Sequence, residues 1–443
     1  MQVTISLQPV SLSLVHIPRP RLARLSTPVL RQILHPHPAF LNITANDIEL
    51  SIFGEQHVLH DFEPIARRDR QRRRAHPLEI SYEKWRVLQI DSHSDQVDNS
   101  GARVHELSAP LAEAGISILY QSSYMSDFMF VKESELQQVL QILSAHGFDL
   151  YSPETTDLSA TPRSPQTATN APASPRSKSH SPTSSDVRIL SPDLACVGLS
   201  DEFGVDHWGL KIVKLVAFPD LIPTPSPSDS RNSSQSDFSS STSSEDDGYF
   251  SHSPQNTSSN SSLYTSRSPS RLHSYDDLCT PLTSPSKSAS KHTFTPSLST
   301  HRSVYPPSSQ YPTHQQFFSF TRTPEGSSLT ADACVLATLF PPHERHMVIC
   351  GGELAAADER IVNGVNPDDS DEEDYEDTDV LMYKCLQLDL RKFGLDKHGL
   401  VNRFSRVLEE NGINHMYSST FKTANLLVDK KQALRAQSLL RLC

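Results

Sequence analysis

Two stretches of the chain, GISILYQSSYMSDFMFV at residues 115–131 and GINHMYSSTFKTANLLV at residues 412–428, share one strand-like pattern. Glycine, isoleucine, tyrosine, serine and valine recur in the same register at an offset of 297 residues. In each copy two apolar-rich runs flank a short polar centre, which is typical of two strands joined by a turn. The duplication predicts a module whose central hairpin the chain carries twice.

The composition of the 443-residue chain predicts folded cores separated by disordered stretches. The hydrophobic fraction is only 36%, and the 32 prolines outnumber the 15 glycines. The net charge of −12 argues against a protein that binds nucleic acid through its overall charge. The six cysteines lack CxxC spacing, so we expect isolated thiols in a reducing compartment and no disulfide frame or zinc site.

The N-terminal stretch MQVTISLQPVSL has no basic leader and alternates as a strand does, so we do not expect a signal peptide. No apolar run reaches the roughly 20 residues that a membrane helix needs. HERH at residues 343–346 and HVLHD at residues 57–61 have spacings that a metal ion accepts, but no third ligand cluster accompanies them. These patterns predict a cytoplasmic protein without a membrane anchor, a metal ion or another cofactor.

The first copy of the hairpin lies in a segment with a recognisable order of elements. WRVLQID reads as a strand, and a helix with apolar residues at helical spacing follows over 102–114 until Gly115 ends it. After the hairpin, KESELQQVLQILSAHG predicts a second helix and FDLYS a last strand. The order is the βαββαβ order of ferredoxin-like folds.

The rest of the chain predicts three further modules of this kind. In the last block, YKCLQLD corresponds to WRVLQID, and GLVNRFSRVLEENG corresponds to the helix that follows WRVLQID. The third block resembles the first, with a long insertion that costs little loop-closure entropy. We therefore predict an α+β fold of four tandem ferredoxin-like modules as a doubled pair. The predicted segments are module 1 (1–64), a basic linker (65–77), module 2 (78–152), a disordered linker (153–187), module 3 (188–220 and 313–360) with a disordered insert (221–312), an acidic disordered tract (361–379) and module 4 (380–443).

Two such pairs are able to pack around a pseudo-two-fold axis, which makes the seam between them a natural ligand site. The basic linker has an alternative interpretation as a nuclear-localisation signal or a patch for an anionic partner.

The modules resemble ACT domains, the small regulatory modules that bind amino acids, and in particular the CASTOR family of cytosolic arginine sensors. This family is in turn similar to the ACT regulatory region of aspartate kinases. The stretches that carry the resemblance are SAPLAEAGISILYQSSYMSDFMFVKESEL, FFSFTRTPEGSS, FGLDKHGLV and GINHMYSSTFKTANLLV. It covers the predicted folded segments and none of the Ser/Pro tracts.

The resemblance implies a ligand between modules 2 and 4. The residues that it places there are Ser117, Ile118, Gly394, Leu400, Val401, Thr420, Phe421, Lys422, Thr423 and Ala424. FGLDKHG is a glycine-bearing loop that leads into a helix, where free N–H groups and the helix dipole favour a carboxylate.

One position departs from the arginine sensors. The carboxylate with which that family holds the arginine guanidinium aligns with Ala424, which accepts no hydrogen bond. Asp127 stands at the equivalent position of module 2, and Lys422 adds a positive charge nearby. The sequence therefore predicts an amino-acid site that has lost arginine selectivity, or has lost binding.

By resemblance we expect a non-catalytic regulator whose protein partner belongs to the nutrient-sensing TOR pathway, with a homodimer as one possible assembly and without nucleic-acid or membrane partners. Two alternatives stay open. Repeated Ser-Pro and Thr-Pro steps, among them Ser191, Ser268 and Ser284, fit a phosphorylation-regulated adaptor whose ACT folds bind no ligand. The wider family allows a regulatory subunit of an amino-acid biosynthetic enzyme.

Overall fold

The computed structural model of the protein describes most of the predicted folded segments, and its strands form one continuous sheet. The described residues are 3–92, 99–151, 187–200, 202, 204–223, 317–363 and 380–443. The predicted disordered and acidic tracts lie almost wholly outside these ranges. The predicted phosphorylation sites Ser268 and Ser284 lie outside them too, whereas Ser191 is described and exposed.

The strands of the described residues are β1 (Val3–Pro18), β2 (Leu41–Ala45), β3 (Glu49–Glu55), β4 (Glu79–Ile80), β5 (Trp85–Ser92), β6 (Ile118–Ser122), β7 (Asp127–Lys132), β8 (Asp149–Tyr151), β9 (Val187–Ile189), β10 (Leu194–Leu199), β11 (Phe318–Thr323), β12 (Gly326–Asp332), β13 (Val348–Ile349), β14 (Tyr383–Asp389), β15 (His415–Ser419) and β16 (Thr423–Asp429). The α-helices are α1 (Ser26–Ile33), α2 (Glu63–Gln71), α3 (Ser100–Glu113), α4 (Leu136–Ala145), α5 (Gly204–Ala217), α6 (Ala333–Leu339), α7 (Glu353–Asn363), α8 (Leu400–Glu410) and α9 (Ala433–Arg441).

The order strand, helix, strand, strand, helix occurs four times in these residues. We number these repeats along the chain. Repeat 1 is β1-α1-β2-β3-α2, repeat 2 is β5-α3-β6-β7-α4, repeat 3 is β10-α5-β11-β12-α6 and repeat 4 is β14-α8-β15-β16-α9. The fold is therefore of mixed helix and strand content.

Three strands from each repeat join in a closed ring. Neighbouring strands follow the order β10-β12-β11-β2-β3-β1-β5-β7-β6-β15-β16-β14, and one bridge between Leu194 and Tyr383 joins β14 back to β10. Repeats 1 and 3 meet through β2 and β11, and repeats 2 and 4 meet through β6 and β15. The two repeats that carry the duplicated hairpin are thus neighbours in the ring.

The last strand of the predicted βαββαβ order does not pair within its own repeat. β8 follows repeat 2 but pairs in parallel with β1 of repeat 1, and β9 pairs with β14 of repeat 4 rather than with repeat 3. The cause is the length of β1, whose first residues lie between β5 on one side and β8 on the other. The predicted boundary at residues 187–188 therefore lies inside β9, a strand that belongs to the sheet of repeat 4.

The predicted basic linker, residues 65–77, begins inside α2. Asp69 of this helix is buried, accepts a hydrogen bond from the main-chain N–H of Leu78 at 3.0 Å and pairs with Arg21. Burial of the Asp69 carboxyl raises its pKa, but the bonds from Leu78 and Arg21 outweigh this and lower the pKa overall. The basic segment is thereby anchored to repeat 1, although most of its arginines are exposed.

Each face of the sheet has its own core. On the helix side, one apolar core joins repeats 1 and 3 and a second joins repeats 2 and 4. On the other face, polar side chains accompany aromatic ones, and some connect repeats that lie diagonally across the ring. The amide of Gln121 donates to the Ser319 hydroxyl at 3.2 Å, and the amide of Asn46 donates to the Thr423 hydroxyl at 2.7 Å. These contacts show that the inside of the ring is packed.

Within the described ranges, no helix is long and apolar enough to cross a membrane. The same residues contain no group of three or more His, Cys, Asp and Glu side chains arranged to hold a metal ion. The His-containing motifs at residues 57–61 and 343–346 thus form no such group.

Candidate functional site at the seam of repeats 2 and 4

The seam between β6 and β15 is built from equivalent residues of the two duplicated hairpins. Its only bridge in the described ladder joins Gln121 to Ser418, which are 297 residues apart. The main-chain N–H of Tyr120 donates to the Ser419 hydroxyl at 3.0 Å, and that of Tyr417 donates to the Ser122 hydroxyl at 3.1 Å. Exchanging the two repeats converts each of these contacts into the other. A pseudo-two-fold axis therefore passes through the seam.

Residues on the helix side of the seam follow the same axis. Nδ1 of His105 in α3 lies 2.8 Å from Oδ1 of Asn402 in α8, at the same offset of 297 residues. The rings of Tyr120 and Tyr417 meet edge to face, with centroids 6.5 Å apart. The offset seen in the sequence is thus the operation that relates the two halves of this seam.

The predicted neighbours Ser117 and Gly394 lie on opposite sides of the seam and are brought together. The Ser117 hydroxyl of repeat 2 donates to the carbonyl oxygen of Leu395 at 3.2 Å and accepts from the N–H of Lys397 at 2.8 Å. Gly394 begins this loop with φ of 59° and Gly399 ends it with φ of 68°, a conformation that favours glycine. The loop that we call the seam loop, residues 394–399, is therefore held by a residue of the other repeat.

Lys397 of the seam loop is the main feature that sequence analysis missed. Its side chain is buried, and Nζ donates to the carbonyl oxygens of Thr420 at 2.8 Å and of Thr423 at 3.3 Å. Burial lowers the pKa of Lys397 from 10.5 to about 8, and the negative charge of Glu49 opposes this change. The only signal in the sequence is a lone lysine between two glycines, which is too common to point to such a role.

The turn between β15 and β16, residues 420–423, is also held from repeat 1. Both oxygens of the buried Glu49 carboxylate are used: Oε1 accepts from the Thr420 hydroxyl at 2.6 Å and from the N–H of Lys422 at 2.7 Å, and Oε2 lies 2.6 Å from Nδ1 of His16. Burial raises the pKa of Glu49, but the hydrogen bond and charge of His16 and the bonds from the turn outweigh it and lower the pKa overall. A buried cation and a buried anion thus hold one turn from two sides.

The remaining predicted residues divide into two groups. Ile118, Leu400, Val401 and Ala424 are buried in the helix-side core of repeats 2 and 4. Phe421 and Thr423 belong to the other face, where the N–H of Phe421 donates to the Ser51 hydroxyl of repeat 1 at 2.7 Å. The structure therefore brings Ser117 and the seam loop together with the 420–423 turn through Lys397, and places the apolar members in packed cores.

Lys422 was predicted to add a positive charge to the site. Its ammonium instead lies 2.7 Å from Oε1 of Glu79, a partly exposed residue of β4, which pairs with β1 of repeat 1. The positive charge at the seam is supplied by Lys397 instead.

Asp127 occupies the position of repeat 2 that corresponds to Ala424. Its buried carboxylate accepts from Nε of Arg103 in α3 at 2.9 Å and from the hydroxyl of Tyr120 at 3.2 Å. An arginine of the chain itself therefore fills the role that an arginine ligand takes at a carboxylate. In the other half of the seam, Ala424 offers no such partner.

A surface cavity of about 450 Å³ lies on the helix side of the seam, beside α3 and the end of α8. Its lining residues are Ala102, His105, Glu106, Ala109, Pro110, Glu113, His146 and Glu409. None of the residues predicted to bind a ligand lines it.

Comparisons with known proteins match a part of the chain that includes the first copy of the duplicated hairpin. Residues 80–145, which span all of repeat 2, match the model of the ACT domain family. Over 77 residues the chain is 38% identical to the Homo sapiens protein named cytosolic arginine sensor for mTORC1 subunit 1, which covers 17% of this chain and 23% of that protein. The Bos taurus protein of the same name is 36% identical over the same length and coverage. The matched region is thus less than a quarter of these relatives.

Solved structures similar to this chain include the aspartate kinase of Synechocystis, with 9% identity, a TM-score of 0.27 and coverage of 99% of this chain and 54% of that one. The aspartate kinase of Clostridium acetobutylicum has 10% identity, a TM-score of 0.25 and coverage of 32% and 33%. Residues 80–145 thus match the ACT domain family, and a stretch of 77 residues of the chain is similar in sequence to the cytosolic arginine sensors.

Proposed function

We propose that the protein is a non-catalytic, amino-acid-responsive regulator in which all four repeats are ACT modules. The ligand binds at the seam of repeats 2 and 4, next to the seam loop. The ACT domain and the sequence similarity to a sensor support an amino-acid-sensing role in general. The seam position rests on the arrangement of this chain's own residues.

One observation carries this proposal. Ser117 of repeat 2 holds the seam loop of repeat 4 through its hydroxyl, at 3.2 Å from the Leu395 oxygen and 2.8 Å from the Lys397 nitrogen. A loop between two positive-φ glycines, fixed by side chains of a neighbouring repeat that include Ser117 and Lys132, is able to change position when a ligand competes for such a contact. Ligand binding at this point alters how the two repeats meet.

The ligand that we propose is an amino acid other than arginine. Ala424 is apolar and buried in a core, so it provides no acceptor for a guanidinium. The carboxylate of Asp127 is already engaged by Arg103.

The response is transmitted through the 420–423 turn. Lys397 binds this turn from the seam, and Glu49 of repeat 1 binds it from the diagonal side of the ring. Movement of the seam loop therefore changes a contact between repeats 1 and 4, which alters the affinity of the protein for a partner. By similarity to the arginine sensors, we propose a partner of the TOR signalling class, and a homodimer stays a prediction.

A thermal-shift panel of the twenty amino acids on the full-length protein tests the proposal. A ligand at a hundred times its Kd stabilises the folded state by about 2.7 kcal/mol, which raises the melting temperature measurably. We expect at least one uncharged or acidic amino acid to do so and arginine to have no effect. Gly394→Asp should abolish the shift, because a side chain at φ of 59° distorts the seam loop.

Gly147→Asp is the matched control. Gly147 also has positive φ, at 84°, and neither glycine has another atom within 4 Å of its ideal Cβ position. The two variants therefore introduce the same side chain at a glycine of positive φ, one in the seam loop and one after α4. A panel without any shift, or a shift that survives Gly394→Asp, would contradict the proposal.

A further inference from the structure

Lys397 occupies the seam in the manner of a ligand. Its main chain is bound by Ser117 of repeat 2, and its ammonium reaches two carbonyl oxygens of the 420–423 turn in repeat 4. The residue therefore joins the two sides of the seam by itself. Burial of an ammonium is expensive unless acceptors surround it, and the turn supplies them.

The groups around the Lys397 ammonium are those that bind a primary ammonium. A primary ammonium has three N–H donors and no acceptor, and the two carbonyl oxygens at 2.8 and 3.3 Å satisfy two of them. Glu49 lies on the opposite side of the same turn, where it accepts from the Thr420 hydroxyl at 2.6 Å. The negative charge of this buried carboxylate favours a cation at the carbonyls.

Four methylene groups connect the ammonium of Lys397 to its main chain. Gly394 and Gly399, with φ of 59° and 68°, fix the loop that carries it. Because the ammonium is attached to the protein, its effective concentration at the carbonyls is high without any ligand in solution. A free molecule must expel it before taking the same acceptors.

We infer that the seam is a recognition site for a primary ammonium and that Lys397 is its built-in ligand, which a free amino acid displaces with its α-ammonium. The displacement by a free amino acid rests on the proposed function, whereas the role of Lys397 as a built-in ligand rests on geometry alone. It specifies the regulation of the seam, since Lys397 holds the 420–423 turn when no ligand is bound. It also specifies the ligand class, because a quaternary ammonium has no N–H to donate.

Chemical replacement of the lysine side chain tests the role of Lys397 as a built-in ligand. In Lys397→Ala, n-propylammonium restores the missing atoms, so we expect it to raise the melting temperature of this variant in a saturable manner. Wild-type protein and Lys422→Ala, whose lysine ammonium pairs at the surface with Glu79, should not respond. An equal response to tetramethylammonium, or an equal response of the wild type, would overturn the inference.

Lys397→Met provides a second readout that does not require the alanine variant to fold. Methionine fills much of the volume but donates no hydrogen bond, so amide exchange in the 420–423 turn should accelerate by at least about tenfold if the ammonium holds this turn. Exchange unchanged from that of the wild type would overturn the inference.

The amino-acid panel separates this inference from the proposed function. If Lys397 competes with the ligand, an amino acid that stabilises the wild type should half-saturate Lys397→Ala at a concentration at least about tenfold lower. Glycine and its trimethylated form should differ, since only glycine donates N–H bonds. Equal half-saturation of both proteins overturns the role of Lys397 and leaves the proposed function intact. Rescue by n-propylammonium without any response to amino acids overturns the proposed function and leaves the role of Lys397 intact.

Discussion

Replacing Glu49 by glutamine tests how strongly repeat 1 holds the 420–423 turn. The carboxylate accepts from His16, from the Thr420 hydroxyl and from the N–H of Lys422, over distances of 2.6, 2.6 and 2.7 Å. Glutamine keeps the size of the side chain but removes the charge. Its side-chain amide also places N–H donors next to partners that are themselves hydrogen-bond donors.

The expected cost follows from burial. A hydrogen bond to a charged group contributes about 1.5 to 3 kcal/mol net, and removing one partner of a buried charged pair costs about 3 to 5 kcal/mol. Glutamine retains part of the bonding, so we expect Glu49→Gln to lower the free energy of unfolding by about 3 kcal/mol. Glu79→Gln is the control, because Glu79 also pairs with Lys422 but is 39% exposed. A pair of this kind contributes at most about 1 kcal/mol.

Urea unfolding followed by tryptophan fluorescence measures both variants, since Trp85 and Trp208 are buried. Combining Glu49→Gln with Lys397→Met adds a test of coupling. If the carboxylate offsets the charge of Lys397, the cost of Glu49→Gln should fall by at least about 1 kcal/mol in the Lys397→Met background. A cost for Glu49→Gln no larger than that for Glu79→Gln would refute the reasoning.

Three further predictions concern stability. The pKa of Lys397 is about 8 in the folded state instead of 10.5, so the unfolded chain binds more protons between these two pH values. The free energy of unfolding should therefore rise there by up to about 1.4 kcal/mol per pH unit, and Lys397→Met should lack this rise in urea titrations at pH 8 to 10. Gly101→Ala should cost about 1 to 3 kcal/mol by urea unfolding, since its Cβ would lie 2.6 Å from Nδ1 of His415; retention of full stability would contradict the packing. Asp193→Asn should cost roughly 2 kcal/mol, because the Asp193 carboxylate lies 2.8 Å from the ammonium of Lys384 and accepts a hydrogen bond from that of Lys430, beside the single bridge that closes the ring. A change below about 0.5 kcal/mol, which is typical of ordinary surface positions, would show that these pairs are dispensable.

The duplicated hairpin made much of the fold predictable. Its register gave the offset that relates Tyr120 to Tyr417, and helical spacing with terminal glycines placed the helices on either side. Local pattern and internal repetition are sufficient for such features. The closeness of Ser117 to the loop at Gly394 was expected from the resemblance to the arginine sensors and not from any local pattern.

The parts that escaped prediction depend on contacts between distant segments. Glu49 and Lys397 meet the same turn only because the ring places repeats 1 and 4 diagonally, and no local pattern encodes that closure. Similarly, β9 joins β14 because the edge of repeat 4 is available to it, although its sequence position suggested repeat 3. A buried lysine in a polar loop gives no hydrophobic signal, so only the packed structure shows its burial.

Hydrogen-exchange mass spectrometry with the amino acid that stabilises the protein most tests the central claim most directly. If the seam of repeats 2 and 4 is the binding site, saturating ligand should change exchange in segments 115–123, 390–401 and 415–424. Exchange in α1 and α5, on the other side of the ring, should be unaffected. Unchanged exchange in the three seam segments, together with protection elsewhere, would contradict the account.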